Sequence, residues 1–306
     1  MTSISAAGVV LALGTAALWA FAPLCMASAG RRIGAQQAVV LRVVLAAGGL
    51  LALLALYALL APWAILWPSR TQVFWLAVSG LTGMGAGDML LYRSLVASGP
   101  RRTTQLLTLA PVASVALGWL WLHEALGPRE CLGAALVLGA TAYAVLRPPL
   151  DPATREPGAV SVRGIACAVG GAILVGVGAV TARRAFRAGP LDPLAATTVR
   201  VWAAALLLGL PVLLRGQAPA WVAHLRDAAL RRRIVWGTLA GSLVGMITYV
   251  AAFRYCDAGL VSMLVASSPL LQLPMVALRY RARFGWDVVT ASLLAVSGVG
   301  VITLAR

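Results

Sequence analysis

The sequence predicts an all-α integral membrane protein in which ten transmembrane helices form two inverted five-helix repeats. Two observations point to this fold class. The chain of 306 residues is 61% hydrophobic and only 11% charged, and its second half resembles the first at an offset of 158 residues. Soluble domains have roughly 45–50% apolar and about 25% charged residues, so this composition excludes a soluble globular domain.

Each predicted span is an apolar block of about 20 residues, which crosses roughly 30 Å of hydrocarbon at about 1.5 Å per helical residue. Helices are expected because unpaired backbone groups are too costly in lipid. The ten blocks cover residues 6–27, 36–60, 72–96, 103–122, 127–146, 164–182, 194–214, 234–253, 259–278 and 286–304.

The repeat rests on an ordered series of matches that needs no gap. Arg42 matches Arg200, and Pro111 matches Pro269. A second copy that follows five crossings enters the membrane from the opposite side, so the halves are predicted to be inverted. Inverted repeats are common in secondary transporters, whose substrate site lies near mid-membrane between the halves.

The proline-rich stretch 148–163 is the predicted linker between a first repeat, residues 1–147, and a second repeat, residues 164–306. It is the most polar long connection in the chain, as expected for a hinge.

All 25 basic residues are arginines, and the net charge is +16. They lie mainly in short loops, so we expect the lipid bilayer and no nucleic acid as a partner. Odd-numbered loops contain 15 arginines, whereas even-numbered loops and the tails contain 7. Because cytoplasmic loops are enriched in arginine, this bias places both termini outside the cytoplasm.

Four ionisable residues lie well inside predicted spans: Arg42, Asp88, Arg93 and Arg200. Arg42 and Asp88 lie at similar depths from the same membrane face, so they are able to pair. Arg42 and Arg200 either reach the headgroups, neutralise a substrate carboxylate or hold a gate, or form internal pairs. Asp88 is either a paired structural acid or a proton or cation site.

Pro111 and Pro269 occupy matched positions in spans 4 and 9 and free the carbonyls of Leu107 and Val265. The hydroxyls and amides nearby either satisfy these kinked helices or line a substrate path from both halves. The polar residues concerned are Thr104, Gln105, Thr108 and Ser114 in span 4, and Ser262, Ser267, Ser268 and Gln272 in span 9.

Glycines and aromatic residues also have two interpretations each. Gly80, Gly83 and Gly87 and their counterparts Gly237, Gly241 and Gly245 form faces that allow close helix packing, within the monomer or in a dimer or sliding gate. Most aromatic residues near helix ends, including Trp202, Tyr249 and Phe253, are typical of an interfacial belt. Trp19 and Tyr92 are the candidates for a pocket.

No catalytic or cofactor motif is present in the sequence. The cysteines Cys25, Cys131, Cys167 and Cys256 are scattered, and His123 is far from His224, so we expect no metal site and no cofactor. Nucleotide-binding and nucleophile motifs are also absent, which excludes an ATP-driven pump for this chain alone.

An ordered set of short motifs runs through the first copy: Leu18-Trp19-Ala20, Leu41-Arg42-Val43-Val44-Leu45-Ala46, Leu90-Leu91-Tyr92-Arg93-Ser94-Leu95, Leu109-Ala110-Pro111-Val112, Leu122-His123-Glu124 and Gly133-Ala134-Ala135-Leu136-Val137-Leu138. The second copy retains Arg200 and Ser268-Pro269-Leu270. With these motifs the chain resembles the drug/metabolite transporter superfamily in its ten-helix EamA branch, and the resemblance covers nearly the whole sequence.

The resemblance implies spans 1, 3, 4, 6, 8 and 9 around a central cavity, with spans 5 and 10 at the periphery. The family glutamate falls on Glu124, and Ala282 takes its place in the second copy, so Glu124 joins Asp88 as a candidate for proton coupling. The resemblance also implies cytoplasmic termini, in contrast to the arginine distribution.

We therefore expect a multi-pass secondary transporter of the inner membrane that moves a small metabolite, amino-acid-like or drug-like, by alternating access. Export or exchange of a neutral or zwitterionic solute is favoured, by a monomer or a dimer. A lipid-modifying membrane enzyme and a non-transporting scaffold are the alternatives. The cavity candidates are Trp19, Arg42, Asp88, Tyr92, Gln105, Thr108, Ser267, Ser268 and Gln272, and the gating candidates are Pro111 and Pro269.

Overall fold

The computed structural model describes residues 5–107, 109–123 and 162–268, with scattered residues between 127 and 140 and between 271 and 297. Within these residues, 6 helices are long and apolar enough to cross a membrane. Shorter apolar helices, Leu109–Leu122 and Cys131–Ala140, accompany them. The predicted all-α membrane fold is confirmed.

Apart from the helix Asp88–Leu107, the described helices follow the predicted spans, and the described residues of each half contain one wide-turned segment. The first half comprises α1 (Ala6–Ile33), α2 (Ala35–Leu60), α3 (Arg70–Ser79), the wide turns Gly80–Gly87, α4 (Asp88–Leu107) and α5 (Leu109–Leu122). The second half comprises α6 (Val162–Arg187), α7 (Pro193–Leu214), the surface helix α8 (Ala218–Ala223), α9 (Ala228–Thr238), the wide turns Leu239–Val244, α10 (Gly245–Tyr255) and α11 (Ala258–Val265).

Side-chain caps set the start of three helices. Ser69 and Gln72 form a reciprocal capping box at the start of α3. Asp192 accepts hydrogen bonds from the first N–H groups of α7, and Asp227 does the same for α9. Such caps satisfy backbone donors that have no partner inside the helix.

Helix α4 departs from the prediction because it continues through residues 97–102, where the sequence predicts a loop. The hydroxyls of Ser94 and Thr103 nevertheless lie 2.9 Å apart. Nine residues of straight helix would separate them by about 13 Å, so the chain must bend sharply between them.

Repeat-related helices run antiparallel to each other, which is the direct structural sign of inversion. The indole N–H of Trp202 on α7 donates to the carbonyl of Ala47 on α2, at 2.9 Å. Further along, Leu54 packs with Ala195. Because residue numbers rise on α2 while they fall on α7, the two halves enter the membrane in opposite directions.

The predicted glycine faces pack inside the monomer. Wide turns of the first half contact α6, and those of the second half contact α1. A Cβ added to Gly178 would lie 2.9 Å from the Cα of Gly83, and one added to Gly245 would lie 2.8 Å from the indole nitrogen of Trp19. Small residues therefore allow the halves to approach closely.

We expect Gly178→Ala to destabilise the protein by about 1–3 kcal/mol, because the new methyl group meets immovable backbone atoms of α3 and Gly83. Gly14→Ala in α1 is the matched control, since nothing lies within 4 Å of its added Cβ. Thermal unfolding in detergent measures both. Equal effects of the two substitutions would contradict this account of the interface.

Candidate functional site

The two wide-turned segments are repeat equivalents. Shifting Gly80–Gly87 by the repeat offset places it on Leu239–Val244 with one flanking residue at each end. The N–H of Asp88 donates to the carbonyl of Gly83, five residues back, and that of Gly245 donates to Ala240. Such widened turns occur frequently at functional sites.

Asp88 follows the first of these segments directly and forms an ion pair with Arg42. The guanidinium donates to the carboxylate at 2.8 Å, and the side chains are 15% and 22% exposed respectively. The pair that equal depth makes possible is formed. A carboxylate with a fixed guanidinium partner is the expected arrangement of a structural pair, which weakens the proton-site hypothesis for Asp88.

Arg200 repeats the position of Arg42 without the acid. Its guanidinium lies 3.7 Å from the sulfur of Met246, the residue that replaces Asp88 in the second half. It also lies 5.3 Å above the ring of Tyr249, much as Arg42 lies 6.0 Å from that of Tyr92.

The surroundings of both arginines favour an internal role over anchoring. Arg200 is 3% exposed, and Arg42 is held by Asp88. The contacts of Ala47 with Trp202 and of Leu54 with Ala195 set a register in which repeat-related residues of α2 and α7 oppose each other near residue 45 of α2. Arg42 and Arg200 each lie about 5 Å along their helices from that point. Arg93, by contrast, is exposed.

Both guanidinium groups reach across the interface between the halves. A Cβ at Gly241 would lie 3.8 Å from Arg42, and a Cβ at Gly83 would lie 3.4 Å from Arg200. Each arginine therefore approaches the wide turns of the opposite half, where the glycines leave room for it.

Aromatic rings form one side of this centre. Trp19 and Tyr249 have ring centroids 4.9 Å apart, and Phe253 follows at 4.7 Å from Tyr249. The indole N–H of Trp19 donates to the carbonyl of Gly241 at 2.9 Å. The belt interpretation is wrong for Tyr249 and Phe253, which are buried, whereas Trp119 and Trp121 are exposed as a belt requires.

The hydroxyls of Ser267 and Ser268 in span 9 bind carbonyl groups of their own helix. Ser268 donates to the carbonyl of Val265, the group that Pro269 was predicted to free, and Ser267 donates to Leu264. Ser262 instead donates to Ser114 at 3.0 Å and joins spans 9 and 4. These contacts favour the local interpretation for Ser267 and Ser268.

The structure does not place every predicted site residue at this centre. Pro111 is buried near the start of α5. Thr108, Glu124, Pro269, Gln272 and the side chain of Gln105 lie outside the described part of the chain. Within that part, no group of histidine, cysteine or acidic residues has metal-binding geometry.

The Arg42–Asp88 pair supports a double-mutant cycle. We expect Asp88→Leu to destabilise the protein by about 3–5 kcal/mol, because it leaves a buried guanidinium unpaired. Adding Arg42→Met is expected to restore most of that stability, since an apolar pair of similar size needs no desolvated charge. Thermal unfolding in detergent measures the cycle, and additive losses would show that the two residues do not act as a pair.

The comparisons with known proteins agree with this architecture. The sequence profile of the EamA-like transporter family matches residues 6–146 and 162–304. No curated protein sequence matches the chain. A solved structure, described only as a crystal structure of a protein, superimposes with a TM-score of 0.76 at 17% identity, over 97% of this chain and 96% of the other. That likeness shows the fold.

The two profile matches together cover nearly the whole chain, one on each repeat. The protein is therefore a multi-pass membrane transporter of the drug/metabolite transporter superfamily and belongs to the EamA-like transporter family.

Proposed function

We propose that the protein is a secondary transporter of the cytoplasmic membrane that exports or exchanges a small metabolite by alternating access. The observation that carries the proposal is the position of its charges. Arg42, Asp88 and Arg200 lie deep in the apolar bundle, at the interface of two inverted halves. Ionisable residues at such a depth are costly and commonly mark a transport path.

A buried polar network closes the bundle at the face where α1 begins, here called the N-terminal face. Arg183, which is 5% exposed, donates to the carbonyl of Phe253 and to Asp257, the latter at 3.1 Å. Arg187 donates to the carbonyl of Leu122. Since Leu122 belongs to the first half and Arg187 to the second, the network ties the halves together.

The opposite face has a weaker connection between the halves. Arg32 and Asp227 form an ion pair at 2.7 Å, but their side chains are 55% and 46% exposed. The N–H groups of Leu230 and Ala229, with a further contribution from Arg32, hold the pKa of the Asp227 carboxyl below its usual value. The pair therefore stays charged at neutral pH and is lost only as the pH falls through that lowered pKa.

The contacts that join the halves differ between the two faces. At the N-terminal face, Arg187 donates to Leu122 of the other half and lies beside the largely buried Arg183–Asp257 pair of its own half, whereas the opposite face is joined by an exposed ion pair that water screens. We infer that this conformation is closed at the N-terminal face and opens more readily at the other. Alternating access is a cycle between two states, one closed at the N-terminal face and the other closed at the opposite face.

Uptake into proteoliposomes tests the proposal. The panel contains amino acids, nucleosides, sugars, carboxylates and cationic dyes, each with and without a pH gradient. We expect saturable transport of at least one small metabolite. Protein-independent leakage of every solute would overturn the assignment.

Cys256 provides a reporter for opening at the N-terminal face. It is 2% exposed and packs against Gly8 of α1. In a variant with Cys25, Cys131 and Cys167 replaced by Ala, we expect the transported solute to change the rate at which a membrane-impermeant maleimide labels Cys256.

The matched control retains only Cys131, which is exposed, and its labelling should not depend on solute. Labelling of Cys256 that is insensitive to the transported solute would argue against movement at this face.

A further inference from the structure

We propose that Arg200 binds the anionic group of the substrate, so that the transported solute carries a carboxylate and is not an organic cation. This inference rests on the proposed transport function and assigns the substrate class at the same central site. It gives a role to Arg200, a central charge that pairs with no acid among the residues that the structure describes.

The electrostatic environment of Arg200 is incomplete. Its side chain is buried, its Nε has no hydrogen-bond partner, and its other polar contacts are the thioether of Met246 and the hydroxyl of Tyr249, both uncharged. The Nε of Arg42 is also unpaired, so the two arginines differ in the acid that only Arg42 binds. Among the residues that the structure describes, no carboxylate lies within ion-pairing distance of it. A thioether is a weak acceptor, and a buried guanidinium without an anion is strongly disfavoured.

Comparison of the two repeats shows which group beside Arg200 differs from the surroundings of Arg42. In the first half Asp88 neutralises Arg42, and in the second half Met246 occupies the position of that acid. The three central ionisable groups therefore carry one net positive charge. The ring of Tyr249 compensates for part of it through its negative face, but an aromatic ring attracts a cation less strongly than a carboxylate does.

A monoanion matches this charge, and a carboxylate matches the geometry. The planar guanidinium offers donors in a fork that binds the two oxygens of a carboxylate together, and both Nε and an Nη atom belong to such a fork. A cationic substrate would instead add a second unpaired positive charge to the same apolar region. A phosphate dianion would reverse the imbalance.

The position of Arg200 also suits a transport site. Its guanidinium lies beside Gly83, in the wide turns of the opposite half, and close to the middle of the bundle. A carboxylate held there would contact both halves, and its affinity would change when the halves move relative to each other. Only such differential binding couples a ligand to a conformational change.

Thermal unfolding of the detergent-solubilised protein, with sodium acetate as the probe, tests the inference without a transport assay. We expect acetate to raise the apparent Tm relative to sodium chloride at the same ionic strength, because a ligand of the native state stabilises it. Arg200→Gln should abolish the difference. Arg232→Gln, which removes an exposed arginine, should retain it.

A second variant keeps the test decisive if Arg200→Gln does not fold. Met246→Asp supplies Arg200 with the acid that Arg42 already has. It is expected to raise the Tm without acetate and to remove the acetate response, because the internal carboxylate competes for the guanidinium. An acetate effect that persists in Met246→Asp or Arg200→Gln, or that is absent in the native sequence, would overturn the inference.

Uptake separates this inference from the transport proposal. Among panel members that the protein transports, carboxylates should be favoured over isosteric amines, and Arg200→Gln should lower their uptake about tenfold to hundredfold. Transport confined to cations or uncharged solutes would overturn the anion site and leave the transporter assignment intact. An acetate response that requires Arg200, without transport of any panel member, would support the anion site and contradict the transport proposal.

Discussion

Two guanidinium groups near the centre of an apolar bundle impose the main physical constraint on this protein. Burying a charge in a medium of low dielectric is strongly unfavourable unless hydrogen bonds and opposite charge compensate for it. Arg42 meets this requirement with Asp88, and the glycine-lined turns of each half give both arginines space at the interface. The close helix contacts and the widened turns are organised around these two side chains.

The scaffold is symmetric, but the charges are not. Helices α2 and α7, the wide-turned segments and the arginines all have repeat partners, whereas Asp88 faces Met246 in the equivalent position. In inverted-repeat transporters, two conformations related by exchange of the two halves are the geometric basis of transport, and our proposal of alternating access rests on the same symmetry. The unequal charges allow the site to prefer one sign of ligand.

The two faces of the bundle differ in a similar way. Arg183 and Asp257 form a largely buried contact at the N-terminal face, while Arg32 and Asp227 form an exposed contact at the other. Exposed pairs are screened by salt, and buried pairs are screened much less. In the alternating-access cycle that we propose, unequal closures would favour one resting conformation, and a ligand bound at the centre would shift the balance between conformations.

The sequence by itself determined the membrane fold and the two repeats and showed that Arg42 and Asp88 are able to pair, because hydrophobic length, repeat offset and helical depth are local or additive properties. Only the tertiary structure decided which groups meet across the halves. Tyr249 and Phe253 lie in the core and Ser268 satisfies Val265, because packing between distant helices selects side-chain directions that spacing along one helix leaves open. The same reason leaves Arg200, which in sequence looks like a second anchor, buried and without an acid among the described residues.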